Sequence, residues 1–262
     1  MPCKHFPKGG TVLYTFIFYL CAMKIIKPYG EEGSKHEQVE RMFDNIAPAY
    51  DRMNHLMSFG SDRRWRKKTI KALEKYSRGR ILDIACGTGD MTLEIYRRLA
   101  PSLLVGADLS DGMLEVARRK KGDCNIDFIK CDCCEAIPYP ANSFDAVTVA
   151  FGVRNFEHIE KGLSEIYRVL DDGGKLAVLE LAVPIYWPFK QFYKLYAGTI
   201  IPTIGGRISK DRKAYSYLPE SIEAFPQRER FTSILKNCGF AEYVYTPMTF
   251  GTCILYVATK HL

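Results

Sequence analysis

Ten residues constrain this chain more than any other feature: Ile81-Leu82-Asp83-Ile84-Ala85-Cys86-Gly87-Thr88-Gly89-Asp90. An apolar run ends in a Gly-x-Gly turn and opens directly into a helical pattern, so a ligand can approach the backbone there without meeting side chains. In open α/β sheets that place, at the carboxyl edge of a strand, is where nucleotides bind. Thr92 stands where G-x-G-x-x-G needs its third glycine, and Asp108 closes the next apolar run, Leu104-Val105-Gly106-Ala107, 19 residues after Gly89. A carboxylate at that spacing suits both hydroxyls of a ribose. The expected ligand is therefore a nucleoside that makes no pyrophosphate demand.

The chain from Gly79 onward follows the same logic. Strands are predicted at 80–85, 103–108, 126–130, 144–151 and 175–181, with helices near 90–99, 111–120 and 159–170 and with Gly173-Gly174 turning into the fifth strand. This alternation is the pattern of βαβ units on a parallel sheet. A helix at 226–238 and strands at 241–246 and 251–259 follow, the last two joined at Pro247-Met248-Thr249. So short a connection forces an antiparallel pair. The fold class is thus α/β, a doubly wound, seven-stranded, mostly parallel, Rossmann-like sheet with an antiparallel last strand. Residues 184–218, rich in aromatics and carrying prolines and glycines, are expected to form an irregular inserted cap within a domain spanning 79–262.

Ahead of that domain, residues 23–78 are expected to form a helical lid. Ser34-Lys35-His36-Glu37 is a capping box for a helix at 35–46. A second helix at 62–77 places Trp65, Thr69, Ile70, Leu73 and Tyr76 on one stripe, with Arg63, Arg64, Arg66, Lys67, Lys68, Lys71 and Lys75 on the other face. Residues 1–80 hold 16 basic and 8 acidic side chains, so the net charge of +7 resides in this third of the chain. A basic amphipathic helix reads as a solvated face or as a contact for an anionic membrane surface. The apolar run Val12–Met23 is too short to span a bilayer, and residues 1–22 read as an upstream extension, with Met23 the expected start. Nine cysteines in 262 residues, without scaffold spacing, fit a reducing, cytoplasmic compartment. The pair in Cys131-x-x-Cys134 lacks a matching second pair, so no metal site is expected.

The motifs Asp83-x-Ala-x-Gly-Thr-Gly-Asp90, Asp108 and Ser143-Phe144-Asp145-Ala146-Val147 resemble class I S-adenosylmethionine-dependent methyltransferases. More specifically, Tyr50-Asp51-Arg52-Met53-Asn54-His55, Trp65, Phe151-Gly152-Val153-Arg154-Asn155, Tyr217-Leu218-Pro219-Glu220-Ser221-Ile222 and Phe225-Pro226 resemble the ubiquinone/menaquinone biosynthesis C-methyltransferases, in order over about 35–260. Asp62, Asp171-Asp172 and Ala182 depart from that family's usual His, Lys-Pro and Ser. Cys133 and Cys134 replace its Asp/Asn-Ala beside the adenine.

The resemblance implies S-adenosylmethionine as cosubstrate. Gly87, Thr88 and Gly89 would lie against its methionine portion, with Asp83 organising that loop. Asp108 would hold the ribose, and Asp132, Cys133 and Cys134 would border the adenine. It implies methylation of a ring carbon of a reduced prenylated quinone, with demethylmenaquinol preferred over the benzoquinol precursor of ubiquinone. A ring carbon is nucleophilic only when a neighbouring hydroxyl loses its proton, and phenols titrate near 10. A nearby cation, or a base such as a water that a side chain orients, must therefore favour the phenolate. Arg154 is the first candidate, assisted by Asn155; Tyr50 and Asp51 on the lid, with His55 and His158, are secondary. Peripheral membrane contact, and a homodimer as an admissible state, complete the expected partners. A nicotinamide-dependent oxidoreductase is disfavoured by Thr92. Nucleic acid is not expected as a partner, because Phe-Gly-Val-Arg-Asn occupies the place of the Asp/Asn-Pro-Pro-aromatic tetrapeptide of nucleic-acid amino-methyltransferases. A non-catalytic binding protein is disfavoured by the intact Gly-x-Gly, Asp108 and Arg154.

Overall fold

A computed structural model of the chain describes residues 26–30, 32–200 and 211–261. The expectations for residues 1–22, including Met23 as the start, lie outside them, as does 201–210 of the cap. Strands β1 (Arg80–Ile84), β2 (Leu103–Asp108), β3 (Asp127–Lys130), β4 (Phe144–Ala150), β5 (Leu170–Leu181), β6 (Phe240–Met248) and β7 (Cys253–Lys260) form one sheet in the order β3-β2-β1-β4-β5-β7-β6. β1 to β5 pair in parallel, and β7 runs antiparallel between β5 and β6. The chain winds outward from β1 to β3 and then returns to β4. The crevice for a ligand therefore opens at the carboxyl ends of β1 and β4, where the winding direction switches.

Alternate residues of the strands feed two cores, because successive side chains point to opposite faces. Leu82, Ile84, Val105 and Val178 pack with Leu163 and Ile166 of α6 (Ile159–Val169) and with Phe231 and Leu235 of α9 (Glu229–Asn237). Ile81, Leu104, Ala146 and Leu179 pack with Trp65 and Ile70 of α3 (Ser61–Lys71) and with Leu93 and Ile95 of α4 (Asp90–Leu99). A third cluster joins lid to cap: Met42 and Ile46 of α1 (Lys35–Ile46) and Met53 of α2 (Tyr50–Met57) meet Met113 of α5 (Asp111–Lys121) and Ala214, Tyr215 and Tyr217 of α8 (Arg212–Ala224).

Several predicted bounds shift. The helix expected to reach residue 77 ends at Lys71, because Leu73 is buried among Ile70, Ile81 and Leu99 while the Tyr76 hydroxyl donates to Gly173 O and Arg78 N donates to Leu99 O. These tertiary anchors turn the chain into β1. Its basic face also loses a member: Arg66 is buried, donating to Asp62 and Asp90, while Arg63, Arg64, Lys67, Lys68, Lys71 and Lys75 remain exposed. Gly173-Gly174 is a bulge inside β5, which starts at Leu170, because the register against β4 slips between Phe144 and Ala146. Pro247 and Met248 belong to β6, an edge strand that tolerates a missing donor, and the turn is Thr249–Gly251.

The cap is more regular than its composition implies. Phe189–Leu195 forms α7, followed by a π-turn to Ile200, and α8 runs through Pro219. A proline there removes a helical donor at a typical cost of ~3 kcal/mol. Burial of Tyr215, Tyr217 and Ile222 offsets it.

Candidate active site

The backbone just beyond β1 and β4 takes left-handed conformations at Ala85 (φ 52°), Gly87 (φ 55°), Gly89 (φ 80°) and Phe151 (φ 60°). Two of these are not glycine, and such strain persists where the surrounding structure over-determines it, as at ligand sites. Gly152 is required by close approach: a Cβ there would lie 2.4 Å from that of Ala85. A cavity at this crevice is bounded by Ala85, Gly87, Asp108, Met113, Asp132, Cys133, Cys134 and Asn155.

Asp108 is buried, with Oδ2 accepting from Gly87 N at 2.7 Å and Oδ1 from Ser110 N at 2.9 Å. Each carboxylate oxygen thus accepts one backbone donor and keeps lone pairs free for the donors of a ribose diol, although burial raises its pKa. Asp132, Cys133 and Cys134 all border the cavity. The Asp132 carboxylate is engaged, accepting from Cys134 N at 2.8 Å and lying 2.7 Å from His36 Nδ1 of α1. These residues fit a nucleoside: an acid for the diol, a side-chain-poor loop, and an apolar slot between Met113 and Cys133.

The other glycine-loop candidates lie beneath that cavity. Asp83 is fully buried, accepting from Thr148 Oγ1 and Thr92 Oγ1, each at 2.6 Å, and burial pushes its pKa up to about 6. It ties α4 to β4 and shapes the loop from below. Thr92, the residue that breaks the dinucleotide pattern, is thus the partner of Asp83. Gly89 faces α5 and β3, where a Cβ would meet Ala117 and Phe128 at 3.2 Å. Thr88 is buried and donates to Asp51, whose other oxygen lies 2.8 Å from Lys120 Nζ. Asp51 therefore fastens the lid to the loop and does not line this cavity.

A larger cavity of about 360 Å³ adjoins the first, and Phe43, Tyr50 and Phe151 line both. Its walls are apolar and aromatic, among them Met57, Phe59, Trp65, Phe189, Phe192, Tyr193, Tyr196 and Tyr217. Arg154 lines it and is 8% exposed. The 153–155 turn that presents Arg154 is held from three sides. Arg154 Nη1 donates to Glu180 Oε1 at 2.8 Å and to Phe151 O. Lys35 of the lid donates from Nζ to Arg154 O (2.8 Å) and Phe156 O (3.0 Å). The Tyr217 hydroxyl of the cap donates to Asn155 Oδ1 at 3.1 Å. Burial alone would lower the Arg154 pKa; the carboxylate of Glu180, with Tyr50 and Tyr217, more than offsets it, so the guanidinium stays charged. Burial also lowers Lys35 to about 8 and raises Tyr50, Tyr193 and Tyr217, the last to about 12.

The structure removes both histidines. His158 is exposed outside either cavity, and His55 Nδ1 sits 2.7 Å from Asp62 Oδ2 in a strut with Arg66. Asp62, where the family usually has His, is the centre of that strut. Sequence reasoning missed Glu180 and Lys35. The signal for the first was a lone carboxylate in the apolar run Leu179-Glu180-Leu181. Lys35 gave none beyond its place in a capping box.

Comparison with known proteins agrees with this geometry. A family model described as the ubiE/COQ5 methyltransferase family matches residues 31–260. A Bacteroides fragilis protein named demethylmenaquinone methyltransferase is 49% identical over 239 residues, covering 90% of this chain and 97% of its own. The Geobacter sulfurreducens ubiquinone/menaquinone biosynthesis C-methyltransferase is 41% identical over 257 residues, covering 95% and 98%. Among solved structures, a SAM-dependent methyltransferase from Thermotoga maritima shares the fold with TM-score 0.60 at 18% identity, covering 84% of this chain and 99% of that one.

Proposed function

The chain belongs to the ubiE/COQ5 methyltransferase family, and from that membership we propose that it methylates a ring carbon of a reduced prenylated naphthoquinone, demethylmenaquinol, using S-adenosylmethionine. The observation that carries the reading is a buried, charged guanidinium, Arg154, in an aromatic cavity that shares a wall with the nucleoside cleft. The cosubstrate supplies an electrophilic methyl on a sulfonium, which leaves as a neutral thioether and needs no acid.

The protein's work lies on the acceptor. A phenol beside a cation ionises about 1–3 units lower, so Arg154 favours loss of the hydroxyl proton next to the acceptor carbon. That carbon forms the new C–C bond as the sulfur–methyl bond breaks, and its electron pair leaves with sulfur. Loss of the ring proton then restores the aromatic ring, giving methylquinol, thioether and one net proton. Tyr50, Tyr193 and Tyr217 keep their protons because burial raises them, and neither His55 nor His158 lines the cavity, so none of these side chains takes the first proton. Lid and cap exclude bulk water and align ring and methyl.

A prenyl tail calls for an apolar exit. Phe59 (81% exposed), Phe192 and Phe250 lie at the cavity, and Trp187 (78%), Tyr186 and Leu195 extend the exposed apolar surface of the cap. The basic face of α3 begins a few residues after Phe59. These features support peripheral docking on an anionic leaflet; no helix among the described residues is long and apolar enough to cross a membrane.

The test is transfer from labelled S-adenosylmethionine to chemically reduced, short-chain demethylmenaquinol, with the product read by mass. One added ring methyl supports the proposal. Transfer only to the benzoquinol precursor of ubiquinone moves the substrate, and transfer to neither ring removes the quinol.

A further inference from the structure

Two polar atoms are buried with no hydrogen-bond partner among the described residues: Arg154 Nε and the hydroxyl of Tyr193. Both residues line the larger cavity, Arg154 from the turn after β4 and Tyr193 from cap helix α7. Neighbouring tyrosines differ. Tyr196 donates to Met57 O at 2.7 Å and Tyr217 to Asn155 at 3.1 Å. Buried polar groups left unmatched are costly and rare in native proteins, so two that face one cavity mark places where a bound molecule would supply the partner.

Resting on the quinol reading, we propose that the two ring oxygens of the substrate complete these two groups: Arg154 Nε donates to the oxygen beside the acceptor carbon, and the Tyr193 hydroxyl binds the oxygen across the ring. The assignment follows from what each group can do. A guanidinium only donates, which suits the oxygen that loses its proton. A tyrosine hydroxyl both donates and accepts, which suits a ring hydroxyl that keeps its proton. Burial raises the Tyr193 pKa, so its own proton is retained across the working range. The cap then does more than cover the site. It reads the second oxygen and so selects a para-diol over a simple phenol.

The test uses the full chain, Tyr193→Phe, and two reduced acceptors. One is a short-chain 2-prenyl-1,4-naphthalenediol; the other is the matching 3-prenyl-1-naphthol, which keeps only the oxygen beside the acceptor carbon. Expected for Tyr193→Phe is an about tenfold rise in KM on the diol with kcat nearly unchanged, no change on the naphthol, and unchanged cofactor affinity by calorimetry. The ligand-free variant should also melt about 2–4 °C higher, since an unmatched hydroxyl has been removed. Equal effects on both acceptors, or none on the diol, overturn the assignment, and so does a lower melting temperature. Wild-type enzyme that transfers to neither acceptor overturns the quinol reading together with this one. A wild type active on the diol and matched by its variant overturns this one alone.

Discussion

Arg154 has two jobs that a single substitution would confound, and its ion pair allows them to be separated. The guanidinium lies 2.8 Å from Glu180, with the two side chains only 6% and 1% exposed. Arg154→Ala leaves a buried carboxylate without its cation, a change that typically costs ~3–5 kcal/mol. Glu180 would keep two backbone donors, Leu181 N at 2.8 Å and the amide of residue 154 at 3.3 Å. That places the loss at the lower end, about 3 kcal/mol, which a domain stable by ~5–15 kcal/mol survives. Replacing the pair together, as Arg154→Met with Glu180→Leu, removes both charges and returns stability to within about 1 kcal/mol of wild type. Transfer should not return: loss of the charge that stabilises the phenolate costs about 10²–10³-fold in kcat. Urea unfolding followed by fluorescence measures the first quantity, and single-turnover transfer at saturating cofactor the second. Recovery of transfer along with stability in the double variant would refute the anion-stabilising role and leave Arg154 a strut. A single variant that loses less than about 1 kcal/mol would refute the claim that the pair is shielded from water.

Three further outcomes follow from the geometry. Asp108→Asn weakens S-adenosylmethionine binding by about tenfold or more in calorimetry, since the amide's nitrogen faces either a backbone donor or the ribose. Asp83 has a native pKa near 6 against 3.8 for a free aspartate, so its contribution to stability is present below about pH 4 and lost as pH rises through 6. The difference is of the order of 3 kcal/mol; Asp83→Asn should flatten the stability profile between pH 4 and 7, and an unchanged profile sinks the assignment. Trp187→Ser with Tyr186→Ser should reduce sedimentation with anionic vesicles several-fold while leaving transfer to a short-chain quinol intact, since neither side chain lines the cavity; undiminished sedimentation would place docking elsewhere.

The strand, Gly-x-Gly turn and helix, the acid at Asp108, and the antiparallel end were legible from residue order alone, because each is a local signal: alternation, a conformation glycine permits, or a connection too short for a crossover. Residue order also placed Arg154 and Asn155 just past a strand end, and the Tyr50 and Phe-Gly-Val-Arg-Asn blocks carried the family. What chain order does not encode is which polar groups are consumed by other polar groups. Asp51, Asp83, Thr88, His55 and Arg66 all carry site-like chemistry, and only the packed structure shows them spent on Lys120, Thr92, Thr148 and Asp62. Glu180 and Lys35 became visible only when β5 and α1, far apart in the chain, met at one turn. That α8 continues through Pro219 is likewise decided in three dimensions: the missing donor is a local cost, whereas burial of Tyr215 and Tyr217 against the lid is a gain that only the packed structure provides.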